Sequence, residues 1–288
     1  MTTVAVPLQV TGRTKAPITR LVRAELRFII RRPRTMAALG LAAAVPIIAA
    51  IGVSVAATAP AGGEAGPVQG IASIVADNGL VLPIFVLLLS MTMLLPLMGT
   101  MWAADAISGE ASAGGLRNLL LAPVGRARLL AVKAFGIATM SLVAVTVMAT
   151  VGVIAGMAIL GGDQMLTLSG STLPFSEAIG RVALLAVLVT IQVWGIAAVA
   201  LAISACTDHP LVVLSVTLGG VIIFSVLTAI ASLDWLHPVL ITAGWPDLAD
   251  VVRDPMPTDA IADGVLRAAC YILIGYSLAL ARMVSRDG

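Results

Sequence analysis

The sequence predicts an all-α membrane protein of six transmembrane helices, and three observations carry that prediction. Hydrophobic residues fill 59% of its 288 positions and charged residues only 11%, where a soluble domain carries about 25% charge. Six apolar stretches each reach the roughly 20 residues needed to cross about 30 Å of hydrocarbon. Most Lys and Arg fall in three clusters separated by connections that carry acids instead.

The elements follow in order. Residues 1–35 form a tail and an interfacial helix, and residues 36–288 form the transmembrane domain. Between Ile18 and Ile30 the residues Ile18, Leu21, Val22, Leu26 and Ile29 share one side of a helix, with Arg20, Arg23, Arg27 and Arg31 on the other. A basic amphipathic helix of this kind lies in the headgroup plane. Glu25 breaks the apolar face, which points either to a pair with a nearby Arg or to contact with a partner subunit. Pro33 ends the helix and turns the chain into the bilayer.

The spans fall at 36–58, 81–104, 134–160, 182–205, 211–232 and 265–283. Basic residues mark the tail (Arg13 to Arg34), the second connection (Arg117, Arg126, Arg128, Lys133) and the C-terminal end (Arg282, Arg286). Positive charge stays cytoplasmic, so both termini are expected inside a bacterial inner membrane. The external connections are 59–80, 161–180 and 233–264. The last holds Trp235, Trp245 and prolines 238, 246, 255 and 257, which predicts a broken helix pair anchored at the interface by its tryptophans. His209 reads as a turn residue beside Pro210, and Cys206 and Cys270 as unpaired small residues. Met91, Met93, Met98 and Met101 read as packing residues.

Several functions are disfavoured. The span interiors hold no Asp, Glu, Lys, Arg or His, Arg267 sitting at the edge of the sixth, although ion-coupled carriers hold their coupling ion near mid-membrane. Thr190 and Gln192 read as helix–helix hydrogen-bonding groups. No GxxxxGK[ST] phosphate loop and no HExxH occur. The chain is therefore expected to be no enzyme, to hold no metal or cofactor, and to draw any transport energy from another subunit. An ion-coupled carrier or channel acting without an ATPase is the alternative, and a non-transporting scaffold a third reading.

The second connection decides between them. An acid, Glu110, is followed four residues later by Gly114, then by Leu116, Arg117, Leu119, Leu120, Pro123, Val124, Arg126 and Lys133. This resembles the cytoplasmic coupling segment of type-two ABC transporter permeases, the daunorubicin-resistance-like exporters. The family commonly has Thr after its Gly and more charge after its acid, where this chain has Gly115, Ala111 and Ser112. The resemblance implies a permease subunit of an ATP-driven exporter, with Glu110, Gly114, Leu116, Arg117, Pro123 and Arg126 coupling it to a separate ATPase. It also implies a second permease copy or homologue, with ATP and Mg bound in the ATPase. The apolar spans suggest an amphipathic or hydrophobic substrate.

Overall fold

The computed structural model describes residues 17–58, 75, 78–112, 125–162 and 164–285. An amphipathic helix α1 (Ile18–Ile30) turns at Arg31 and Arg32 into α2 (Pro33–Thr58), whose first residue is the proline expected to make that turn. There follow α3 (Leu82–Met91), α4 (Leu94–Ala106), the single turn α5 (Ser108–Ser112) and the long α6 (Arg126–Ala155), which ends in a π-helical turn, Gly156–Leu160. A two-stranded antiparallel hairpin, β1 (Gln164–Leu166) and β2 (Thr172–Pro174), leads into α7 (Phe175–Cys206) and α8 (Pro210–Thr228). Three 3-10 helices (Ala231–Leu236, Ile241–Gly244, Pro246–Val252) precede the last helix, α9 (Asp259–Ser285). The broken stretch expected before the last span is thus present, built from 3-10 turns because prolines interrupt the α-helical ladder.

Five of these helices are long and apolar enough to cross a membrane, and the pair α3–α4, bent by 55°, makes a sixth. The span expected at 81–104 is therefore not one straight helix, and the break falls at Thr92–Met93. Pro96 explains it, since its ring displaces the carbonyl four residues earlier, that of Thr92, and it has no N–H to bond there. The hairpin was not foreseen, because three-residue strands carry too little alternation to register.

Helix α7 forms the centre. Its most apolar window is 61% buried, against 17% for α8. It packs most extensively on α9, where Gly275 lets the backbones meet: a Cβ there would lie 2.6 Å from the Ala198 carbonyl oxygen. Gln192 on α7 donates to the Gly264 carbonyl of α9 at 3.1 Å, a helix–helix bond as expected. Thr190 instead donates to Ala186 of its own helix, the back-bond that a hydroxyl reaches without leaving its own turn. Both cysteines are free and exposed.

One end of the bundle carries Asp234, Asp247 and Asp254 and is capped by the hairpin and the 3-10 stretch. Leu168 N–H bonds to Val252, the Asp254 N–H bonds to Ser169 Oγ, and Arg181 donates to the Val251 and Arg253 carbonyls. Trp235 is exposed there, whereas Trp245 is only 9% exposed. Trp245 is thus a core residue of the cap, a correction to its expected place at the interface, because the 3-10 turns fold it back over α7 and α9. The opposite end holds α1, α5 and most of the basic residues.

Candidate coupling site

At this basic end the chain assembles an ion-pair network from five elements: α1, α2 with the turn before it, α4, α5 and α6. Lys133 lies two turns into α6 with its side chain only 4% exposed. Its Nζ donates to Glu110 Oε1 at 2.7 Å and to Glu25 Oε1 at 3.2 Å. Glu25 comes from α1 and Glu110 from α5. Arg32, in the turn before α2, stands 3.2 Å from Asp105 Oδ2 and 4.0 Å from Glu110 Oε1, and it donates to the Asp105 carbonyl. The same guanidinium stacks 4.3 Å above the Phe28 ring. Arg34 adds a contact to Asp105 at 3.5 Å. Three carboxylates thus face three cations, with Lys133 buried at the centre and Arg34 exposed at the rim, and pairing is how the inner charges are carried away from water.

The local sequence places each partner. Helix α1 can approach α6 because position 136 is glycine; a Cβ there would lie 2.9 Å from Ile29 and 3.3 Å from Glu25. The one acid on the apolar face of α1 therefore points inward at a lysine. Helix α5 is held at its start, where the Ser108 N–H bonds to Ser204 Oγ of α7 at 3.0 Å and Ser108 Oγ bonds back to Ala104 at 2.7 Å. Arg126, the first residue of α6, donates to the Met283 and Val284 carbonyls at 2.9 Å each and so closes the C-terminal turn of α9. A displacement of α5 therefore reaches α1, α2, α6 and α7 through polar contacts alone.

The residues expected from sequence are distributed unevenly. Glu110 is present, but it faces Lys133 with 12% of its side chain exposed. Arg126 is present and caps α9. Gly114, Leu116, Arg117 and Pro123 lie outside the described residues. In α1, Arg20, Arg23, Arg27 and Arg31 are exposed and Ile29 is buried, in the two-faced pattern expected. Glu25 pairs with Lys133, where an arginine of its neighbourhood was one expectation. The reason is positional: Arg20, Arg23 and Arg27 lie on the exposed face of α1, opposite Glu25, and Arg32 is engaged by Asp105. Lys133, Arg32 and Asp105 were not singled out as site residues. Their signal was legible, since Lys133 interrupts the apolar run 129–138 and Glu25 interrupts the apolar face of α1.

A multispanning helical bundle with a basic amphipathic helix and a charged, membrane-edge turn after the second span defines a class: the multi-pass helical membrane proteins. Residues 19–253 match the family described as ABC-2 family transporter protein, and this chain belongs to that family. It is accordingly a multi-pass membrane permease of the ABC transporter type, a transmembrane subunit that is not itself catalytic and whose family normally works with an ATPase subunit. No curated protein matches the sequence.

Proposed function

We propose that this chain is the membrane half of an ATP-driven exporter, coupled at its basic end to a separate ATPase subunit that binds ATP and Mg. The observation that supports it most is the network centred on Lys133, which fastens α5 to the interfacial helix and to the spans on either side. A coupling element must pass a rigid displacement from an ATPase to the spans, and two-state elements of this kind work only when their parts move together. The segment from Glu110 through Gly114, Leu116, Arg117 and Pro123 to Arg126 would supply the ATPase-facing surface. The domain division at residue 35, cytoplasmic N and C termini, a bacterial inner membrane and a second permease copy belong to the same reading. So does an amphipathic or hydrophobic cargo.

The test is co-purification of the tagged chain in mild detergent from its native host. The expected result is a stoichiometric ATPase, lost in Arg117→Glu while the melting temperature is unchanged. Glu110→Lys is a poor choice for this purpose, since it sets two lysines against each other inside the network and unfolds the site directly. A preparation with no ATPase that still moves solute down an ion gradient would overturn the proposal and favour the carrier reading.

A further inference from the structure

A groove of about 1000 Å³ runs down the flank of the bundle between α7 and α9. It reaches from Asp263 to Leu278 on α9. At 1.5 Å per residue that is about 22 Å, most of a bilayer's apolar thickness. Its wall is apolar: Val199, Ala202 and Ile203 from α7 face Ile274 and Leu278 from α9. Its mouth, under the 3-10 stretch, is polar and unbalanced. Asp234, His237, Asp247, Asp263 and Arg267 line it. The Arg267 guanidinium is spent on the Pro238 and Leu240 carbonyls, at 3.0 and 3.3 Å. Among the described residues Asp234 pairs with His237 alone, 3.6 Å away. Among the described residues neither Asp247 nor Asp263 has an ion pair, and the buried His237 Nε2 has no hydrogen-bond partner. Burial holds the Asp247 carboxyl above the usual carboxylate range; Asp250 and Asp263 push it the same way and Arg267 opposes them.

We propose that this groove binds a cationic amphiphile, its ammonium or guanidinium head among Asp247, Asp263 and Asp234 and its tail along α9. On the permease reading above, on which this rests, that amphiphile is cargo. The charge at the mouth selects the occupant. A bare hydrocarbon tail would gain nothing from the acidic mouth, and an anionic lipid would be repelled by it. A second copy docked two-fold on this face would bring the same acids against these.

The experiment uses the intact chain in phosphatidylglycerol nanodiscs with radiolabelled dodecyltrimethylammonium as the probe. Saturable binding is expected, and it should weaken about tenfold in the double variant Asp247→Asn/Asp263→Asn, which corresponds to about 1.4 kcal/mol for the two carboxylates together. Ile274→Trp, which fills the tail groove, should lose binding with the head end intact. Dodecyl sulfate should not displace the probe. Equal binding by the double variant, or equal displacement by dodecyl sulfate, would overturn the proposal. So would an oxidative Cys270–Cys270 cross-link between copies in a Cys206→Ser background, because Cys270 lines the groove and the link would mean that a second copy covers it. ATPase co-purification is scored separately on the double variant: loss of probe binding with the ATPase retained supports the groove, whereas no ATPase on any variant indicts the permease reading instead.

Discussion

Replacing Lys133 with Met tests the network most directly. The methionine fills nearly the same volume, so the packing of α6 changes little, but the cation that Glu25 and Glu110 share is gone. Their Oε1 atoms lie 3.2 and 2.7 Å from the same Nζ, which puts the two oxygens within about 6 Å of each other. At an effective dielectric constant near 20, two negative charges at that separation repel by about 3 kcal/mol. Removing one partner of a buried pair costs about 3–5 kcal/mol in general, so the two estimates agree. With about 2–4 °C per kcal/mol for a chain of this size, the melting temperature should fall by about 10 °C. Intrinsic tryptophan fluorescence in detergent follows it, since Trp102 of α4 is 3% exposed close to the site. The triple variant Lys133→Met/Glu25→Gln/Glu110→Gln removes the repulsion and should recover most of the loss. A single variant as stable as the parent, or a triple variant no better than the single, would refute the electrostatic account.

Other predictions concern the close approaches and the acidic mouth. Gly136→Val should push α1 off α6, costing about 1–3 kcal/mol and raising the rate at which a protease cuts the chain near Arg27; an unchanged digest would show that α1 is not held there. Gly275→Ala meets backbone rather than a movable side chain, with the Val199 nitrogen 2.9 Å from the new Cβ, so thermal stability should drop by a similar amount while Gly40→Ala, which meets nothing within 4 Å, leaves it unchanged. Asp247 has a raised carboxyl pKa, mainly through burial and then through Asp250. Its folded form binds a proton more tightly than its unfolded form, so its penalty is absent at acid pH and appears as pH rises from the ordinary carboxylate range through the raised value. Asp247→Asn should therefore raise the melting temperature at pH 7 and flatten the pH dependence in that window; a melting curve that tracks the parent at every pH would count against it.

Six apolar stretches, the two-faced α1, the turn at Pro33 and the alternation of charge are local patterns, and a lipid solvent enforces them residue by residue. A span must be apolar along its whole length and a headgroup helix must be two-faced, so the sequence carries both without help from tertiary contacts. The break at Thr92–Met93 was also locally encoded, in Pro96, though hydropathy averaged over a whole span conceals it. The network was legible only in pieces. Glu25 breaks the apolar face of α1 and Lys133 closes the basic second connection, but 108 positions separate them, and no local rule says that they meet. Gly136 decides that by letting α1 lie against α6. Trp245 illustrates the same limit in reverse, since its composition fits an interfacial anchor and only the fold of the 3-10 stretch turns it into the core. What the sequence determined is which segments enter the membrane; what the tertiary structure decided is which buried charges face one another, because pairing depends on helix packing rather than on neighbours along the chain.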